Sequence, residues 1–150
     1  MRHENLRKLN FFFFALGIFL SLLQVNQAMA QPAPTLTEFR VVGVRSIGYL
    51  NASQYDTVPP GASITPNDHR GGGLIVAVFE RGYGHLQTAS FNGVRMNLVH
   101  SEPDIGPGNR IRGYIRYYHS STNFTSGTFT SSARSINFPF NTMSTRLTIR

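Results

Sequence analysis

The chain has no cysteine. Disulfides are excluded as a source of stability, as is a lipid anchor on an N-terminal cysteine, so a packed apolar core has to hold the fold. Lysine is almost absent too. Lys8 is the only one, and every basic side chain after residue 30 is an arginine. Carboxylates are scarce: Glu38, Asp56, Asp68, Glu80, Glu102 and Asp104 are the six beyond residue 30, against eleven arginines, a surplus of five positive charges. None of the six forms an obvious catalytic pair. No Gly-x-Ser-x-Gly elbow occurs, which removes the usual sign of a hydrolase nucleophile, although a triad assembled in space needs no such motif. A sustained 3.6-residue apolar period is also missing after residue 30, which argues against a helical domain.

What is present at the N-terminus has three parts. Arg2, Arg7 and Lys8 precede an apolar run from Phe11 to Leu23, and Ala28-Met29-Ala30 supplies a small-x-small cleavage site before Gln31. This is the pattern of a secretory signal peptide. The run of about 13 residues falls short of the roughly 20 that a spanning helix needs. The expected organisation is a cleaved signal peptide over 1–30, a flexible Pro-containing leader over 31–37, and one domain over 38–150 without a transmembrane segment. The expected address is secreted or periplasmic.

The domain reads as strands and turns. Phe39 to Arg45 is rich in β-branched residues and predicts a first strand, with Ile47 to Leu50 as its continuation. Residues 51–73 carry Pro59-Pro60-Gly61, Pro66-Asn67-Asp68 and Gly71-Gly72-Gly73, a loop long enough to suggest function or disorder. Leu74 to Phe79 is a continuous apolar run, as for a strand buried on both faces. Asn92-Gly93 between apolar segments predicts a two-residue type I′ hairpin. Its register would oppose Phe91 to Val94, Ala89 to Met96, Gln87 to Leu98 and His85 to His100. Arg110 to Tyr118 is a strand by its period of two, residues 120–135 a twisted strand bulged near Gly127, and Ile136–Phe140 and Thr145–Ile149 final strands. The fold class is all-β: one small antiparallel β-sandwich or barrel-like domain.

Several constellations carry possible chemistry. On the strand from Arg110, alternation puts Arg110, Arg112, Tyr114, Arg116 and Tyr118 on one face. Guanidinium groups fork onto phosphate, sulfate or carboxylate, and tyrosine rings stack on sugars or bases. The plain alternative is a solvated sheet face, where both residue types are common. The hairpin register would place His85 and His100 side by side with Glu102 beyond, a ligand set that zinc accepts, against the alternative of ordinary histidines at a sheet end. His69 beside Asp68 is a weaker hint of hydrolytic chemistry. Asp104 and Asn109 with Gly106 and Gly108 do not match the spacing of a calcium loop.

The segment Gly71-Gly72-Gly73-Leu74-Ile75-Val76-Ala77-Val78-Phe79-Glu80-Arg81-Gly82-Tyr83-Gly84, with Val41-Val42-Gly43-Val44-Arg45-Ser46 before it, resembles the small secreted bacterial proteins of the YolA type. The resemblance implies a small secreted domain and brings no activity with it. The expected function is therefore a non-enzymatic secreted binding protein whose Arg/Tyr face recognises an anionic glycan, a lipid surface or nucleic acid. The alternatives are an effector or inhibitor that binds a protein through its loops, and a metal-dependent or hydrolytic enzyme.

Overall fold

The computed structural model describes residues 32–47 and 54–150. The proposed signal peptide and the segment Gly48–Leu50 lie outside the described residues. Nine strands follow in order: β1 (Glu38–Ser46), β2 (Asp56–Thr57), β3 (Gly71–Arg81), β4 (Gly84–Phe91), β5 (Val94–Arg95), β6 (Asn97–Ile105), β7 (Ile111–Phe124), β8 (Gly127–Ser135) and β9 (Thr142–Ile149). They form a five-stranded sheet, β2-β1-β3-β7-β6, and a four-stranded sheet, β5-β4-β8-β9, both antiparallel. The two pack face to face as a sandwich and do not close into a barrel. Among the described residues no helix is long and apolar enough to cross a membrane.

The core lies between the sheets. Val41, Val44, Leu74, Val76 and Val78 from one sheet meet Ala89, Phe91, Phe129, Leu147 and Ile149 from the other. As the apolar run predicts, β3 is the middle strand of its sheet and is buried on both faces, with Ala77 and Phe79 covered on the outside. Among the described residues the core cluster runs from Leu36 to Ile149, and the stretch from Pro32 onward is one compact unit with a core of its own.

The chain changes sheets three times, and each crossing alters an expectation. Between β3 and β4 the turn at Gly82 (φ +90°) passes so close to Thr35 that a Cβ would collide with its carbonyl, a place only glycine fits. The leader is what it passes. Leu36 is buried in the core, and Tyr83 N donates to Pro34 O at 3.0 Å. The expected flexible leader is thus held from Ala33 onward, because Leu36 is apolar and finds a slot.

The second crossing follows the hairpin. Asn92 and Gly93 both take positive φ, and Ser90 pairs with Arg95 and Phe91 with Val94, the predicted type I′ turn, with its register holding beside the turn but not as far as Gln87 and Leu98, because Leu98 pairs with Tyr118 on β7. Met96 then plugs the core, and the chain leaves for the other sheet as β6. The third crossing splits the expected strand over 120–135 at Thr125-Ser126, giving β7 and β8.

Two other expectations change. Ile136–Phe140 is a tight loop rather than a strand, turning back through Phe140 N to Asn137 O at 2.8 Å. The expected open loop over 51–73 is, from Ser63 to His69, a strap along the edge strand β9. Thr65 N donates to Thr148 O at 2.9 Å, Thr148 N to Ser63 O at 2.8 Å, and His69 N to Arg150 O. It occupies backbone groups that a bare edge would offer to other chains. Asp56 fastens the strap, accepting from Asn67 Nδ2 at 2.9 Å and lying 3.1 Å from His69 Nε2.

Candidate functional site

The face expected to bind ligand turns inward. Glu80 on β3 points into the sandwich with a fully buried side chain, and Arg116 on β7 meets it, Nε at 3.0 Å and Nη2 at 2.6 Å from Oε1. A buried carboxylate needs a cation, and this need sets which face of β7 is the inner one. Tyr118, two residues on, is therefore a core residue, and burial raises its phenol above the ordinary tyrosine range. Tyr114 is half-buried, edge-on to Tyr83 and under the Arg116 guanidinium at 5.0 Å. Arg112 is exposed and paired with Asp104 at 3.2 Å. Arg110 precedes the strand and is exposed. The five residues thus run from solvent into the core and do not form one binding face.

The histidine pair is also separated. β6 belongs to the other sheet, so His85 pairs with Arg134 on β8 while His100 pairs with Tyr117 on β7. His100 lies 3.3 Å from Glu102, but His85 is not with them. Among the described residues no three His, Cys, Asp or Glu side chains gather as a metal site would need. His69 pairs with Asp56 and not with Asp68, which holds Arg70 at 2.5 Å. Ser46, Asp56 and His69 do border a hollow of about 370 Å³. Ser46 is buried, which shields its hydroxyl from the water that a hydrolytic site must admit.

The outer face of the five-stranded sheet is a layer closed on itself. Tyr55 lies over Gly43 and meets the Tyr117 ring at 5.6 Å, His100 meets Tyr117 from the other side at 5.5 Å, and Arg45 stacks on Tyr55 at 5.2 Å. Tyr117 donates to Glu102 at 3.0 Å. Burial, then this bond to a carboxylate, pushes its phenol up to about 12.

The four-stranded sheet differs in kind. Its outer face is built of hydroxyls: Thr88 and Ser132 share a hydrogen bond at 2.8 Å, as do Ser90 and Thr130, with Thr128, Ser144 and Thr148 around them. Pairing aligns Arg95, Ser90, Thr130 and Arg146 in one row across all four strands. No carboxylate occurs in β4, β5, β8 or β9. Elsewhere the carboxylates are spent on nearby cations: Glu38 on Arg40 and Arg81, Asp68 on Arg70, Glu80 on Arg116 and Asp104 on Arg112. Arg95, Arg134 and Arg146 have no carboxylate partner among the described residues, and all three lie on the four-stranded sheet. Arg150, just beyond β9, helps to hold the Asp68 carboxyl below its usual range. Part of the positive surplus is therefore concentrated on this sheet. The signal in the sequence was that no acidic residue follows Asp104 while six arginines do.

No curated protein matches the chain. Residues 31–149, which span all nine strands, match the family described as Domain of unknown function (DUF4879), and the chain belongs to that family.

Proposed function

We propose that the chain is exported, that cleavage after Ala30 frees the domain, and that the domain is a non-enzymatic binding protein for an anionic surface or polymer. The binding face is the outer side of the four-stranded sheet and not the arginines and tyrosines of β7. Its main support is the row Arg95–Ser90–Thr130–Arg146, two arginines without a carboxylate partner joined by hydroxyls. Three inter-strand steps separate the arginines by about 14 Å. Each is free to fork onto phosphate, sulfate or carboxylate oxygens, and the hydroxyls between them can donate to the same oxygens. With no acid on these strands, an approaching polyanion meets no local repulsion.

The test compares residues 31–150 with the double variant Arg95→Ala/Arg146→Ala on a sulfated glycan, anionic vesicles and nucleic acid, at low and moderate salt. A basic side chain near an anionic surface contributes about 1 kcal/mol, so losing two should weaken binding roughly 30-fold. Binding should also fall with salt. A double variant that binds every ligand as the parent does would remove this face from consideration.

A further inference from the structure

The loop between β8 and β9 leaves apolar side chains in water. Phe138 is 82% exposed, Phe140 48% and Ile136 39%. A single exposed apolar residue means little, but here three fall within five positions of a loop that is firmly tied down. Ile136 N donates to Tyr83 O at 3.1 Å, Ser135 N to Asn141 O at 2.8 Å, Thr35 Oγ1 to Phe138 O at 3.2 Å, and Asn137 Nδ2 to Ala33 O. The buried Ser135 hydroxyl accepts from Leu36 N at 3.2 Å and donates to Asn137 O at 3.0 Å. Phe140 has φ +56°, a conformation that bulky residues rarely adopt. Many bonds thus hold a backbone whose aromatic side chains contribute little to the core.

Cations accompany these rings. Arg134 donates to Phe140 O at 3.3 Å, with its guanidinium 6.0 Å from the ring centre. The β6–β7 loop reaches the same end of the sandwich, since Gly82 N, in the β3–β4 crossing, donates to Arg112 O at 2.6 Å. That loop exposes Ile105 and Ile111 beside Arg110 and Arg112. The carboxylates Glu38 and Asp104 of this end are each engaged by arginine, as is the buried Glu80. Apolar tips set among basic side chains, with the acids neutralised, match the boundary between anionic headgroups and acyl chains.

We infer that this end of the sandwich docks on an anionic lipid bilayer, with Phe138 and Phe140 entering the acyl boundary and Arg134 at the level of the headgroups. The inference rests on the anionic-surface reading and selects lipid from its possible ligands. Because the loop is already ordered, insertion forfeits little conformational entropy.

The experiment uses residues 31–150, which contain the whole core. Co-sedimentation is measured with vesicles of phosphatidylcholine alone, vesicles with added phosphatidylserine, and, in parallel arms, a soluble sulfated glycan and nucleic acid. Phe138→Ser should lower affinity for the phosphatidylserine vesicles about tenfold or more, the transfer contribution of one buried Phe, while binding to the glycan stays as it was. The chain has no tryptophan, so Phe138→Trp provides a single reporter. Its emission should shift to the blue with phosphatidylserine vesicles and be quenched by brominated acyl chains. Vesicle binding that Phe138→Ser retains in full, or an indole emission in Phe138→Trp that vesicles leave unchanged, overturns the docking end. Glycan or nucleic-acid binding without vesicle binding overturns the lipid and leaves the anionic face standing; failure with vesicles, glycan and nucleic acid alike removes both readings. Self-association that Phe138→Ser abolishes, without vesicle binding, would make the loop a contact between copies and overturn the inference.

Discussion

Replacing Arg116 with Leu tests the interaction that fixes the orientation of β7. In the native protein the Glu80 side chain is fully buried and that of Arg116 is 16% exposed. Glu80 Oε1 accepts two bonds from the guanidinium, and Oε2 is buried without a hydrogen-bond partner. Arg116→Leu keeps apolar volume but leaves the carboxylate uncompensated, a change that typically costs about 3–5 kcal/mol. Against a domain stability on the order of 5–15 kcal/mol, the variant should be only marginally folded. In urea, with a slope of about 2 kcal/mol per molar, the midpoint should fall by roughly 2 M. Glu80→Leu/Arg116→Leu removes the charge with its partner and should recover to within about 1 kcal/mol of the parent, since hydrophobic replacement of a whole buried pair is often neutral or better. The coupling between the two positions should therefore be at least about 2–3 kcal/mol in a double-mutant cycle. A loss below about 1 kcal/mol for Arg116→Leu, with the m-value unchanged, would refute the argument, because it would mean that water reaches Glu80.

The remaining predictions concern the surfaces. Arg95→Ala/Arg146→Ala should weaken binding to polyanions roughly 30-fold and reduce its salt dependence, read by titration at two salt concentrations. Phe138→Ser should lower affinity for phosphatidylserine vesicles about tenfold or more without affecting glycan binding, read by co-sedimentation. Tyr117 keeps its proton until about pH 12, so its contribution to stability is complete below the ordinary tyrosine value near 10 and is lost as pH rises through 12. In Tyr117→Phe the phenolate absorbance that rises near pH 12 should be smaller by one tyrosine, and the fall in stability between pH 10 and 12 should be shallower; an unchanged titration would refute the assignment.

What the sequence disclosed was mainly local. Asn92-Gly93 specifies its turn through two adjacent residues, and the unbroken run Leu74–Phe79 marks a strand covered on both sides wherever that strand goes. What it concealed depended on distant partners. Alternation along Arg110–Tyr118 marks two faces, but which of them is the inner one is decided by Glu80, 36 positions away. The opposition of His85 to His100 assumed that the hairpin stays in one sheet. Met96, an apolar residue at the crossing, sent the second strand elsewhere. The acid-free sheet was hidden for a related reason. Its strands come from two parts of the chain, separated by β6 with Glu102 and Asp104, so no window along the sequence contains it.

The two proposed surfaces constrain each other. Arg134 pairs with Thr142 at the loop end of the β8–β9 hairpin, and Thr130 pairs with Arg146 four residues further along, about 13 Å at strand rise. Amphipathic anchors sit about 5–10 Å deep in the headgroup boundary. A hairpin standing upright would hold Arg95 and Arg146 more than a Debye length of about 8 Å above the lipid charges, where they would contribute little. Inclined by roughly 20–50° from the membrane plane, the same depth at the tip brings the arginine row down to the headgroups. An acid-free outer face opposes none of this tilt electrostatically, so the sheet should lie against the bilayer. Per arginine removed, Arg95→Ala/Arg146→Ala and Arg134→Ala should then reduce vesicle affinity by similar factors. An effect confined to Arg134 would mean that the domain stands on its tip and that the Arg95–Arg146 row serves a ligand other than lipid.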